Sequence, residues 1–515
     1  MKKIAVTLAL IGFSLAGSAQ NQITLQADSG KVLISKHIYG HFAEHLGACI
    51  YNGFYVGENN TKIPNKSGVR LDIVDALKKL KIPNLRWPGG CFADTYHWKD
   101  GIGQKAKRPS MVNTWWGGVT EDNSFGTHDF LNMCELIGTQ PYLAGNVGSG
   151  TVQELKDWTQ YVNLPAGTSP MSKLREQNGR KAPWNVSFWG VGNEAWGCGG
   201  NMTVEYYANI YRQYATFMSG WDNSKGLFRI ASGASDADYH WTEVLMRDIP
   251  HQMLEGVAVH HYSVLSWGDG QKGSATAYTD SEYFKTMKQA LLMEELVTKH
   301  AAVMDKYDPK KKVAMVVDEW GGWYNVEPGT NGGFLYQQNT MRDAMIAGST
   351  LNIFNNHADR IRMANLAQIV NVLQAVILTD KEKMLLTPTY HVMEMYNVHQ
   401  DATMLPIKLK TNDFVFEGEK LPAVSASASK DAKGLTHISL TNIDPNNSQG
   451  ITIDLKGAKY NVVSGRILTS QKLRDFNTFQ NPTKIQPKSF DGAGLENNVL
   501  KVKLPPFSVV VLELK

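Results

Sequence analysis

Cysteine is scarce in this chain. Cys49, Cys91, Cys134 and Cys198 are scattered through 515 residues and none forms a C-x-x-C pair. Neither a disulfide framework nor a cysteine zinc site is expected from that spacing. Cys134 falls within an apolar helical pattern and reads as a core residue. An excess of one charge is also missing, since 52 Lys and Arg stand against 48 Asp and Glu. No basic cluster alternates with aromatics, which excludes the usual footprint of a nucleic-acid partner. H-x-H and H-E-x-x-H spacings are absent, so neither a metal nor an organic cofactor is expected. Beyond the N-terminus no apolar run is long enough to cross a bilayer, which argues against membrane insertion.

What is present suits a large globular chain: 43% of residues are apolar and only 19% charged, unlike a disordered composition. Lys2 and Lys3 precede the apolar run Ile4 to Leu15, followed by Ala16, Gly17, Ser18 and Ala19. That order reads as a secretory signal over residues 1–19 and predicts export to the periplasm or the medium. From about residue 36 to about residue 370, short apolar runs alternate with amphipathic stretches. The strand-like runs are 38–43, 84–87, 141–144, 186–192, 228–233, 256–260, 313–318 and 361–368. Val204, Tyr207, Ala208, Tyr211, Ala215 and Met218 form a helical stripe between two of them. Eight strands alternating with helices predict a (β/α)₈ barrel, with a doubly wound open sheet as the structural alternative. After about residue 390 the period drops to two, as in Ile451, Ile453, Leu455 and in Leu500, Val502, Leu504. This predicts a C-terminal antiparallel β-sandwich, jelly-roll-like, over 386–515, joined by an N-terminal strand within 20–35, with the barrel over 36–385.

Barrel sites lie at the C-terminal ends of the strands, and those ends are crowded with polar groups. The first run leads into His41–His45, the second ends in Arg86-Trp87-Pro88-Gly89-Gly90-Cys91, and the fourth in Asn193-Glu194-Ala195-Trp196. The sixth ends in His260-His261-Tyr262, the seventh in Asp318-Glu319-Trp320, and the eighth in Gln368. Glu194 and Glu319 sit at ends that a closed barrel sets face to face, the arrangement that glycoside hydrolysis requires of two carboxyls. Trp196, Trp320 and Trp323 supply flat faces for sugar C–H surfaces. Taken singly, each feature has a plainer reading: Asn193-Glu194 as a helix cap, Glu44 as a partner of Arg86, and His261 as a satisfied outward-facing histidine. It is the combination that points to a glycosidase.

The chain resembles the family 51 glycoside hydrolases, chiefly α-L-arabinofuranosidases. The resemblance is carried by HFAEHLG at 41–47, LRWPGGCFADTYHWKDGIG at 85–103, WGVGNEAWGCGG at 189–200, HHYS at 260–263, DEWGGWY at 318–324 and MANLAQIVNVL at 363–373. It implies a barrel plus β-sandwich and an exo-acting, retaining enzyme that releases terminal α-L-arabinofuranosyl residues from arabinose-containing plant polysaccharides or oligosaccharides. Position by position it implies Glu194 as acid/base and Glu319 as nucleophile. Glu44, Asn193 and Gln368 would hold sugar hydroxyls. Tyr262 would stand beside the nucleophile, Cys91 would line the pocket and Trp323 would edge it. It also implies a homo-oligomer, a hexamer in many relatives. Gly321-Gly322 replaces an Asn-Val pair common in relatives, and this predicts an altered pocket rim. The competing readings are a β-xylosidase or β-1,4-glucanase on the same scaffold, and a catalytically inactive glycan-binding protein.

Overall fold

The computed structural model describes residues 21–218, 226–268 and 270–515. Its centre is a closed barrel of eight parallel strands. In chain order these are β1 (Gly40–Phe42), β2 (Asn84–Trp87), β3 (Gln140–Gly145), β4 (Phe188–Val191), β5 (Phe228–Ser235), β6 (Gly256–Ser263), β7 (Ala314–Gly322) and β8 (Ile361–Ala367). Each strand pairs with the next, and β8 closes on β1 through Asn365 to Ala367 against Gly40 to Phe42. Closure excludes the open doubly wound sheet.

Helices fill every interval between strands: α1 (Leu71–Leu80), α2 (Thr127–Ile137), α3 (Val152–Asn163), α4 (Pro170–Gln177), α5 (Val204–Phe217), α6 (Tyr239–Asp248), α7 (Asp280–Tyr307) and α8 (Met341–Asn356). Their starts are written in the sequence. Thr151, Ser169, Thr203, Asp238, Thr279 and Thr340 each accept a hydrogen bond from a first-turn amide, satisfying donors that the helix leaves free. On α5 the predicted stripe is the buried face, with Val204, Tyr207, Ala208, Tyr211 and Ala215 turned inward.

Two sheets of five and seven strands make up the C-terminal unit. The five-stranded sheet includes the N-terminal strand Asn21–Gln26, which lies between Ile407–Lys410 and Gln449–Lys456. Its strand Val499–Leu504 alternates buried and exposed residues, as one-sided burial demands. The seven-stranded sheet departs from that pattern: Thr436–Asn442 is buried at every position. The cause is α8, which is buried along nearly its whole length between barrel and sheet. Asn352 and Asn355 of α8 donate to Ser425 and Ser427 at 3.0 and 3.1 Å. The polar alternate residues of the strands Val424–Lys430 and Thr436–Asn442 are therefore covered by a helix and not by water.

Candidate active site

The polar residues converge at the C-terminal mouth of the barrel. Glu319 lies within β7 and Glu194 in the turn after β4, where its backbone takes a left-handed φ of 39°. Such a conformation in a non-glycine residue costs free energy and is often found at functional sites. One carboxylate oxygen of each glutamate and a ring nitrogen of His260 lie within 4.8 Å of one another. Retaining glycosidases hold their carboxyls about 5–5.5 Å apart, whereas inverting enzymes need roughly 6.5–9.5 Å to admit a water.

The environments of the two carboxyls differ. Glu319 accepts from Arg86 Nη1 at 2.8 Å on one oxygen and from Tyr262 Oη at 2.8 Å on the other. Burial and the Glu319 charge hold the Tyr262 phenol well above its ordinary range, so it remains a donor. Glu194 has no such pair of donors: His260 Nδ1 lies 2.9 Å from its Oε1, and Cys198 Sγ lies 3.5 Å from its Oε2. Burial pushes the Glu194 carboxyl upward, and the Glu319 charge adds to this against the pull of His260. Adjacent Asp318 carries no substrate-facing role here. It accepts from Tyr142 Oη at 2.7 Å and meets His260 Nε2 at 3.0 Å. Burial disfavours its carboxylate, yet the Arg86 charge and the His260 bond hold it below the usual carboxylate range. Register shifts on both sides of β7 break strict alternation and let Asp318 and Glu319 both reach the interior.

A pocket opens here. Its lining contains all eight residues expected from the sequence: Glu44, Cys91, Asn193, Glu194, Tyr262, Glu319, Trp323 and Gln368. Leu46, Gly90, Trp116, Leu335 and Leu373 complete it. Glu44 does not pair with Arg86. Its Oε1 accepts from the amides of Gly90 and Phe92 and from Trp116 Nε1, and its Oε2 from Gln368 Nε2 at 3.1 Å. Gly90 approaches so closely that a Cβ there would stand 2.9 Å from Glu319 Oε1.

Several expectations need correction. Cys91 and Cys198 form a disulfide, although the spacing of the cysteines gave no sign of one. The two cysteines are 107 positions apart, and the barrel brings the turns after β2 and β4 together by pairing both strands with β3. Trp320 is only 1% exposed and packs edge-on to Phe354, so it belongs to the core and not to a sugar platform. Gly321-Gly322 does not shape the rim; both residues are the buried end of β7. Gly322 is held by Gln374 and Gln337, and a Cβ on it would meet Tyr324 Oη at 2.6 Å. His261 faces outward, bound to Asp236 and to the Gln289 carbonyl.

The sequence reading missed the residues that hold the site in place. Arg86 joins Glu319 to Asn193, donating to Asn193 Oδ1 at 2.6 Å. Asp94 accepts from the amides of Val147, Gly148 and Asn193, and so fixes the turn that carries Glu194. Trp116 comes from a hairpin loop. A charge inside the apolar run Leu85-Arg86-Trp87 was a readable signal, whereas Asp94 and Trp116 lie in loops without periodicity.

Known proteins share both this frame and this chain's sequence. The profile described as "Alpha-L-arabinofuranosidase 1 domain" matches residues 76–292, and "Alpha-L-arabinofuranosidase C-terminal domain" matches residues 318–508. The chain belongs to the α-L-arabinofuranosidases of glycoside hydrolase family 51. Among members of this arabinofuranosidase family, an "Intracellular exo-alpha-L-arabinofuranosidase" of Bacteroides ovatus is 52% identical, over 100% of this chain and 99% of that protein. The crystal structure of the family 51 arabinofuranosidase from Xanthomonas axonopodis pv. citri superposes with a TM-score of 0.94 at 48% identity, covering 96% of this chain and 100% of that one. The Thermotoga maritima α-L-arabinofuranosidase, solved as an arabinose complex, gives a TM-score of 0.83 at 30% identity, covering 96% and 99%. The Bacteroides relative is named as intracellular, and this overturns the expectation that the present arabinofuranosidase is exported. The apolar run that prompted that expectation lies outside the described residues. A short apolar stretch behind two lysines carries too little information to fix a destination.

Proposed function

We infer that this enzyme hydrolyses terminal α-L-arabinofuranosides with retention, using Glu319 as nucleophile and Glu194 as acid/base. The observation that carries the reading is the pair of carboxylates within 4.8 Å in a pocket that Glu44, Asn193 and Gln368 also line. Their surroundings favour this division of roles. Glu319 receives two donors that aim its carboxylate into the pocket. Glu194 is raised by burial and so keeps a proton to give.

In the first step a Glu319 oxygen bonds to the anomeric carbon. The bond to the leaving oxygen breaks and that oxygen takes the Glu194 proton. In the second step Glu194 removes a proton from water, whose oxygen displaces Glu319 and frees arabinose. Glu44, Asn193 and Gln368 bind hydroxyls of the sugar, and Arg86 keeps Asn193 and Glu319 in fixed relation. Tyr262 steers the nucleophile, while Cys91 and Trp323 shape the walls. Arabinose-containing glycans are the substrates, and a pocket in place of an open cleft suits removal of terminal residues.

The test compares initial hydrolysis of 4-nitrophenyl α-L-arabinofuranoside with that of the β-D-xylopyranoside and β-D-glucopyranoside, with Glu319→Gln as control. Preference for the arabinofuranoside, abolished in the variant, is the expected result. Turnover of the xyloside or glucoside alone would overturn the sugar assignment and leave the two-carboxylate chemistry standing.

A further inference from the structure

A pocket that accepts one sugar leaves the leaving group outside its mouth, and one side chain there is placed to meet it. Trp267, in the segment after β6, is 52% exposed. Its ring centroid lies 5.3 Å from that of Trp323 and 6.3 Å from that of Tyr262, at interplanar angles of 79° and 86°. Trp323 and Tyr262 both line the pocket and are themselves 5.0 Å apart at 82°. Three rings thus stand mutually edge-to-face, the arrangement that aromatic quadrupoles favour. We propose that Trp267 is the platform of a leaving-group subsite, stacking on the first sugar ring beyond the scissile bond.

The geometry separates this from a purely structural role. A residue serving only to cover Trp323 would bury its own apolar surface, yet half of this indole remains in water beside the pocket. Its segment is tied down: the Gly268 amide donates to Ser266 Oγ at 3.2 Å, and Asn325 donates to the carbonyls of Gly270 and Gly273 at 3.0 and 2.9 Å. An anchored indole with two side-chain torsions loses little freedom on binding. Its negative face suits the C–H surface of a sugar. The occupant is therefore an uncharged glycosyl unit of the leaving group, and no charged aglycone is called for.

The proposal rests on the arabinofuranosidase reading, so the experiment keeps the two apart. Each protein is assayed on an α-L-arabinofuranosyl oligosaccharide and on α-L-arabinofuranosyl fluoride, whose leaving group has no ring to stack. Trp267→Ala is expected to lower the kcat/KM ratio of oligosaccharide to fluoride about tenfold, chiefly through KM, as truncation of an aromatic anchor does. Trp267→Phe is expected to restore most of that ratio. Equal losses on both substrates, or no loss on the oligosaccharide, would overturn the proposal. Failure of the unaltered enzyme to turn over either substrate would overturn the arabinofuranosidase reading, and the subsite with it.

Discussion

His260 Nδ1 lies 2.9 Å from Glu194 Oε1, while the other ring nitrogen lies 3.0 Å from Asp318 Oδ1. Burial opposes a charge on this ring. The Glu319 charge and the bonds from Asp318 and Glu194 outweigh it and hold the imidazolium well above the ordinary histidine range. A fixed cation therefore sits against Glu194 and moderates the rise that burial imposes on it. Removing it disfavours the Glu194 carboxylate, which then keeps its proton to higher pH. His260→Asn is expected to move the alkaline limb of the kcat/KM profile upward. It should also lower kcat about 10- to 100-fold, because Glu194 loses the contact that orients it. An alkaline limb that stays in place, measured on folded protein, would remove His260 from this role.

Arg86 joins Glu319 to Asn193, the residue before Glu194. Its Nη1 reaches Glu319 at 2.8 Å and its Nη2 reaches Asn193 at 2.6 Å, while the guanidinium lies 4.5 Å from the Phe42 ring centroid. A lysine keeps the charge but cannot span both acceptors in one plane. Arg86→Lys is expected to cut kcat on the order of 10²-fold, as small displacements of reacting groups do. Arg86→Met removes the guanidinium that Asp318 and Glu319 share and is expected to cost about 3–5 kcal/mol of stability. Steady-state kinetics and thermal melts separate the two effects. A fully active lysine variant would show that the planar fork is not needed.

The barrel and the position of both glutamates were legible because they depend on local pattern. Each strand end follows an apolar run, and a closed barrel brings such ends together whatever the intervening loops do. Trp320 was misjudged because it neighbours Glu319 in sequence but turns to the opposite face, against Phe354. The Cys91–Cys198 bond joins the turns after β2 and β4, which come together only once both strands have paired with β3. Asp94 works through amides of Val147, Gly148 and Asn193, partners that composition and periodicity do not reveal. Burial of Thr436–Asn442 on both faces followed from the docking of α8, a tertiary fact absent from the strand's own pattern.

The disulfide places Cys198 Sγ 3.5 Å from Glu194 Oε2. An oxidised sulfur has no proton to offer, whereas a thiol there can donate to the carboxylate and favour its charged form. Reduction with a dithiol, which is oxidised as both cysteines become thiols, is expected to shift the alkaline limb of activity downward. That direction is opposite to the one expected for His260→Asn. It should also lower stability by about 2–4 kcal/mol through loss of the cross-link. The Cys91→Ala/Cys198→Ala double variant should share the loss of stability without the downward shift, since it has no thiol. Identical pH profiles for reduced and oxidised enzyme would exclude the contact with Glu194.

Glu44 provides a test through stability rather than rate. Burial and the Glu319 charge push its carboxyl up to about 7 from an ordinary 4.5, against the donors from Trp116 and Phe92 and the Arg86 charge. A folded-state value above the unfolded one means that the folded protein binds the proton more tightly. The resulting stabilisation is complete below about 4.5 and is lost as the pH rises through about 7. Glu44→Gln keeps a carbonyl acceptor for the Gly90 and Phe92 amides but has no proton to lose. The melting temperature of the variant relative to the parent is therefore expected to climb between about pH 5 and pH 8. Activity should fall throughout, because the carboxyl proposed to bind a sugar hydroxyl is gone. Parallel melting curves across that interval would show that Glu44 ionises no differently in the folded and unfolded chain, and that its partners suffice to carry the charge.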